Sequence, residues 1–359
     1  MAATSENDVR ERVLFLSLKD IAKDLDPSRT VLISDNSILA LHGEAFASFN
    51  RVTVPEGERS KSWDILGLIF TRFLEYGVDR TWRVLALGGG SISDIGGFAA
   101  HVWMRGIQFS IAPTTLLAMV DAGLGGKNGI DFNGYKNVLG SFQRPEKVYC
   151  DMQTLRTLGK EQFVSGMAEA IKHGIIDGEK YFSFLESLNP FDHKTAEIPI
   201  LECIVKESQR IKLDIVASDP REKGLRRVLN LGHTFGHGIE TETGIPHGHA
   251  VALGIAIASS LSLRRGTMAE SDFQRILSIL RNWNLPTSHK DLFSHEFRVR
   301  IANSIRMDKK RSSNFLYFVL PKGIGKVEIE KMEVESLAAF FAAGSFLDDL
   351  PLVSMEKRP

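Results

Sequence analysis

Arg83-Val84-Leu85-Ala86-Leu87-Gly88-Gly89-Gly90-Ser91-Ile92-Ser93-Asp94 is the stretch that decides the fold. An apolar run with strand character ends in three glycines and leads into a segment able to start a helix. Glycines let a backbone approach an anion closely, and a helix start offers N–H groups without intrahelical partners and a favourable dipole. The stretch departs from the GxGxxG pattern, because Ser93 stands where the third glycine would be. Taken alone, the turn fits nucleotide binding and a tight strand–helix connection equally well. Asp94, near the helix start, is equally open to a capping role.

The same texture extends upstream. Residues 30–34 form a short β-branched run that ends at Asp35-Asn36-Ser37, and residues 52–54 form another that ends at Pro55-Glu56-Gly57. Residues 61–76 carry Ile65, Leu68, Ile69 and Phe73 at helical spacing and stop at Gly77. Strands alternating with helices predict a Rossmann-like α/β domain with a mainly parallel sheet and helices on both faces. Asp35, following a strand, is placed to accept from a ribose hydroxyl. From about Leu158 the pattern becomes helical, over residues 161–174, 198–218, 230–241 and 250–265. The late run 315–320 reads as one strand of a hairpin with 326–329. The expected domains are therefore an α/β domain over 1–157 and a mainly helical domain over 158–359. The ends, 1–8 and 353–359, are expected to be mobile.

Composition narrows the function. A chain of 359 residues is long enough for two cores, and 43% hydrophobic with 25% charged residues is ordinary for a globular protein. The formal net charge of zero argues against a broad nucleic-acid or anionic-membrane footprint. Cys150 and Cys203 are the only two cysteines and cannot build a disulfide framework, so a reducing cytoplasm is expected. The N-terminus lacks the layout of a signal peptide, and no apolar run reaches the roughly 20 residues of a membrane span.

Chemistry concentrates in residues 230–249, where His233, His237, His247 and His249 make up four of the ten histidines. A lone histidine is commonly structural; four together favour a site. A catalytic divalent ion takes imidazole and carboxylate ligands and keeps one position open. Spacing nominates His233 and His237, at i and i+4 on one helix face. The best carboxylate is Glu169, which shares a helix face with Lys172 among small and apolar neighbours. A solvent-exposed helix ion pair is the alternative reading of those two, and the small and apolar surroundings make it the less persuasive one.

Six segments carry a resemblance. GGGSISDIGGFAAHVWMRG (88–106), APTTLLAMVDAGLGGK (112–127), GYKNVLGSF (134–142), SGMAEAIKHGII (165–176), SDPREKGLRRVLNLGHTFGHGIE (218–240) and PHGHAVALG (246–254) resemble, in order, the motifs of the 3-dehydroquinate synthase family. The resemblance runs from about Asp35 to about Lys310. It implies NAD on the α/β domain, a divalent ion (zinc, or else cobalt) in a cleft between the domains, and a phosphorylated seven-carbon keto acid as substrate. The implied metal ligands are Glu169, His233 and His247, with His237 unligated and assisting proton transfer. Glu222 is implied as a further acid/base residue, and Lys172 and Asn137 join the catalytic set. Arg105, Asp121, Lys127, Asn137, Lys172, Lys212, Arg226, Asn230, Lys309 and Lys310 are implied to line the substrate pocket. For NAD the matching positions are Asp35, Asn36, Glu58, Lys61, Gly89, Gly90, Ser91, Asp94, Thr114, Thr115, Lys136, Thr154 and Thr157. The implied reaction is a transient oxidation by NAD, phosphate elimination, re-reduction and an intramolecular aldol closure, with no net redox change. A homodimer is implied as well.

Some positions depart from the family pattern: Ser91 and Ser93 after the triple glycine, Tyr135 before Lys136-Asn137, and His249 where a glutamate is common. Another sugar-phosphate cyclase and a metal-dependent alcohol dehydrogenase of similar architecture stand as alternatives. A non-enzymatic scaffold is disfavoured, because an idle site would keep charges buried at a cost.

Overall fold

Six short apolar runs build one sheet. Its strands are β1 (Arg12–Phe15), β2 (Thr30–Asp35), β3 (Asn50–Val54), β4 (Arg83–Gly88), β5 (Gln108–Pro113) and, after a hairpin of β6 (Lys127–Phe132) and β7 (Tyr135–Phe142), β8 (Lys147–Cys150). The order is β1-β8-β5-β4-β2-β3, with every neighbouring pair parallel. β2 is buried at every position, as expected of a parallel strand covered on both faces. The helices are α1 (Leu18–Asp24), α2 (Asn36–His42), α3 (Trp63–Glu75), α4 (Gly90–Val102), α5 (Lys160–Asp177), α6 (Glu179–Ser187), α7 (Ile198–Ser218), α8 (His233–Thr243), α9 (His247–Arg264), α10 (Glu270–Asn282), α11 (His295–Lys309) and α12 (Val334–Ala343). The late strands β9 (Phe315–Gly323) and β10 (Lys326–Glu333) pair antiparallel.

This computed structural model describes residues 12–188, 190–309 and 314–352, without the side chains of 307–309. Both ends expected to be mobile fall outside the described residues, and so does Lys310.

From β2 the chain steps outward to β3, then returns to place β4 on the other flank of β2, with β5 and β8 beyond. The order therefore reverses between β2 and β4. At such a switch point the loops at the carboxyl ends of the two strands diverge and leave room for a ligand.

Two local readings are corrected. The helix expected over 61–76 starts at Trp63, where the Ser62 side chain accepts from the Ile65 N–H at 3.3 Å. Its buried face is Leu66, Ile69 and Phe73, whereas Leu68 is 41% exposed, so the apolar stripe lies to one side of the one expected. The hairpin β6–β7 was not expected. It turns on Asn133-Gly134, both with left-handed φ (49° and 81°), and pairs Phe132 with Tyr135.

The chain divides into two compact units: Met1–Gly166 with Asp192–Arg221, and Met167–Phe191 with Glu222–Pro359. The single cut expected at 157/158 does not describe this interleaving, in which α7 belongs with the sheet. Among the described residues no helix is long and apolar enough to cross a membrane.

Candidate active site

In the second unit, α8 and α9 pack backbone to backbone because their facing residues are small. Gly232 adopts φ 82° just before α8, and a Cβ there would lie 2.6 Å from the Val251 carbonyl oxygen. A Cβ on Gly236 would come within 2.9 Å of the Ala250 carbonyl oxygen, and one on Gly254 would collide with Gly232 itself. The tight pairing brings His233, at the start of α8, beside His247, at the start of α9, with ring centroids 5.4 Å apart. The helices expected at 230 and 250 thus begin at His233 and His247, with Asn230 ending a separate 3-10 turn (Leu225–Asn230).

Both rings face Glu169 on α5. His247 Nε2 lies 3.4 Å and His233 Nε2 3.7 Å from Glu169 Oε1. One ligand atom from each of the three residues lies within 4.8 Å of the others, close enough for a common ion. The far nitrogens are tied back: His233 Nδ1–H donates to the Leu231 carbonyl at 3.2 Å, and His247 Nδ1–H to Glu240 Oε2 at 3.0 Å. That arrangement directs both Nε2 atoms to the glutamate and fits a cation held by two imidazoles and one carboxylate. His237 stacks edge-on to His233 at 5.2 Å and lies in a second cluster with Glu240 and His247 rather than in the one containing Glu169. Spacing along one helix therefore does not select the pair that faces the carboxylate.

Charge is arranged to match. Glu169 is 0% and Lys172 1% exposed, and they form an ion pair, so the reading of an exposed helix pair does not hold. Burial and the Lys172 ammonium depress the His233 pKa to about 3, keeping that ring neutral. Burial also disfavours the charged form of His247, but the carboxylates of Glu169 and Glu240 outweigh it and push its pKa up to about 10. A ring in this position gives up a proton when it takes a cation.

Other expected residues gather near this cluster. Asn230 Nδ2–H donates to Glu222 Oε1 at 2.6 Å, and Glu222 sits at φ 55°, a strained setting for a non-glycine residue. Arg226 is 3% exposed. A cavity of about 370 Å³ is lined by Asn230, His233, His237, Glu242, Ser304 and Tyr317, among others. Lys309 ends α11.

In the first unit, most of the residues implied for NAD lie at the carboxyl edge of the parallel sheet. Asp35 ends β2 and caps α2, accepting from the Ile38 N–H at 2.9 Å; Asn36 follows it. Glu58 follows β3, Gly89 and Gly90 follow β4, Thr114 and Thr115 follow β5, and Thr154 and Thr157 follow β8. α4 begins at Gly90, with Gly89 as a cap that supplies no side-chain hydrogen bond. Its first-turn N–H groups are thus available to a phosphate, which suits a dinucleotide. A Cβ on Gly90 would lie 2.9 Å from the Ala122 Cβ, so the turn tolerates no larger residue without a shift. Asp94 is not a cap: its carboxylate pairs with Lys61 Nζ at 2.8 Å, and burial lifts its pKa to about 6 against the pull of Lys61. Lys61, 4% exposed, also donates to Asn137 Oδ1 at 2.5 Å, and Ser91 Oγ–H donates to Glu58 Oε1 at 2.6 Å. Lys212 Nζ is held by the Asp121 carbonyl at 2.6 Å and carboxylate at 2.7 Å. Arg105, Lys127 and Lys136 are exposed.

Comparison with known proteins decides the family. The N-terminal domain model of 3-dehydroquinate synthase matches residues 51–165, and the C-terminal domain model matches residues 166–311. The chain belongs to the 3-dehydroquinate synthase family. A 3-dehydroquinate synthase of Thermoanaerobacter pseudethanolicus is 38% identical, over 88% of this chain and 91% of that protein. One of Acidithiobacillus ferrooxidans is 42% identical, over 77% of this chain and 76% of that protein. Among solved structures, a 2-deoxy-scyllo-inosose synthase complexed with carbaglucose-6-phosphate, NAD+ and Co2+ has the same fold, with a TM-score of 0.81 and 24% identity over 93% of this chain and 96% of that one.

Against the pattern of the 3-dehydroquinate synthase family, the departures can now be located. Ser93 is inside α4, 3% exposed, with its hydroxyl donating to the Gly89 carbonyl at 3.2 Å. The close helix–strand contact that a third glycine serves falls instead to Gly96, where a Cβ would lie 2.9 Å from the Ala86 Cβ. Tyr135 is 53% exposed on the hairpin, and His249 is in the first turn of α9. Glu240 was missed by the sequence reading. Its signal is an acid seven residues after His233, on the same face of α8.

Proposed function

We propose that this chain is an enzyme that converts 3-deoxy-D-arabino-heptulosonate 7-phosphate to 3-dehydroquinate and phosphate, a carbon–oxygen lyase of aromatic biosynthesis. The observation that carries it is the convergence of Glu169, His233 and His247 on one point with both far nitrogens tied back, in a chain of this family. When bound, NAD accepts and returns a hydride, and a divalent ion polarises the hydroxyl to be oxidised.

The chain's own residues do the rest. Glu169, His233 and His247 hold the ion, and Lys172 balances the buried charge of Glu169. The α4 N-terminus takes the dinucleotide phosphates, and Asp35 takes a ribose hydroxyl. Asn230 turns the Glu222 carboxylate into position for proton transfer, and His237, on the cavity wall, carries a second proton. Arg226, buried in the second unit, meets an anionic group of the substrate. The same reading includes a cytoplasmic homodimer, which sedimentation would test.

The deciding experiment incubates the purified chain with this substrate, NAD and zinc. The expected result is 3-dehydroquinate by NMR and one phosphate per substrate consumed. Steady accumulation of NADH would instead support a dehydrogenase. Turnover of only a neutral sugar phosphate would support a different cyclase.

A further inference from the structure

Glu240 has no part in the reaction outlined above, yet it is the group that holds His247. The two are brought together by the turn between α8 and α9. Gly244 closes α8 at φ 68°, its N–H bonded to the Glu240 carbonyl at 2.8 Å, and Pro246 starts α9. The last turn of one helix therefore faces the first residue of the next. Glu240 Oε2 accepts from His247 Nδ1–H at 3.0 Å, with the two side chains 19% and 29% exposed. The opposite nitrogen of the same ring is 3.4 Å from Glu169 Oε1.

We propose that Glu240 is a positioning residue of the metal centre: it fixes the rotamer and tautomer of His247 and so sets the affinity for the divalent ion. The inference rests on the assignment of Glu169, His233 and His247 as ligands. An imidazole whose remote N–H meets a carboxylate is pre-oriented and a better donor, and removing such a partner typically weakens metal binding about 10–100-fold.

The test uses zinc-stripped wild type, Glu240→Gln, Glu240→Ala and His247→Ala. Zinc affinity is measured by chelator competition and the cobalt-loaded forms by visible absorption. Wild type should take one equivalent and His247→Ala should not retain it. Glu240→Ala should bind about 10–100-fold more weakly, with a shifted cobalt band. Glu240→Gln should fall between, since its amide oxygen still accepts from Nδ1–H. It also decides the matter should the alanine variant fail to fold. Unchanged affinity and spectrum in the Glu240 variants would overturn the proposal. So would two equivalents in wild type falling to one, because Glu240 would then be a ligand to a second ion alongside His237. Zinc retention by His247→Ala would overturn the ligand assignment itself.

Discussion

At the scale of the residue, reactivity depends on groups whose orientation is fixed by a neighbour. Glu222 is held at φ 55°, a backbone setting that costs about 1–2 kcal/mol, and Asn230 meets its carboxylate at 2.6 Å. Glu222→Gln should lower kcat by about 10²–10⁴-fold with the metal retained, and Asn230→Ala should lower it by a smaller factor. Phosphate release and metal content measure the two. The histidine cluster was legible because four of ten histidines crowd one stretch. Its division of labour was not, since i,i+4 spacing points equally at His237. Glu169 and His247 come from segments that only the fold brings near His233, and the family resemblance was what nominated them together.

At the scale of the element, glycines set the distances. Gly236→Ala should push α8 from α9, costing about 1–3 kcal/mol in denaturant unfolding and weakening metal retention, because its Cβ would meet the Ala250 carbonyl at 2.9 Å. Gly244→Ala has open space but φ 68°, so it should cost about 1–2 kcal/mol and leave metal binding alone. In the first unit, hydrogen bonds from Lys147 and Tyr149 hold the Asp24 carboxyl below its ordinary 3.8 and tie β8 to α1. A carboxyl lowered on folding contributes stability above its unfolded value, and that contribution is lost as pH falls through the folded one. Asp24→Asn should therefore be less stable at neutral pH, with a shallower acid limb below about pH 4 in thermal melts. The strands β2 and β4 were readable as apolar runs into turn residues. The hairpin β6–β7 was not, because β7 is exposed along most of its length and lacks a clean alternation, although Asn133-Gly134 carried the turn signal.

At the scale of the whole molecule, the sequence conveyed a parallel α/β unit and a helical one. It did not convey that residues 192–221 return to the first unit, because the amphipathic pattern of α7 says which face is buried and not against what. The strand order β1-β8-β5-β4-β2-β3 likewise depends on long-range pairing. Once that order is known, the ends of β2 and β4 become the expected ligand crevice. The central claim is that one divalent ion is gripped by Glu169, His233 and His247 and not by the neighbouring His237. Metal content after dialysis against zinc, compared for wild type, His233→Ala and His237→Ala, tests it most directly. The account predicts one bound ion in wild type and in His237→Ala and none in His233→Ala. An empty His237→Ala beside a loaded His233→Ala would contradict it.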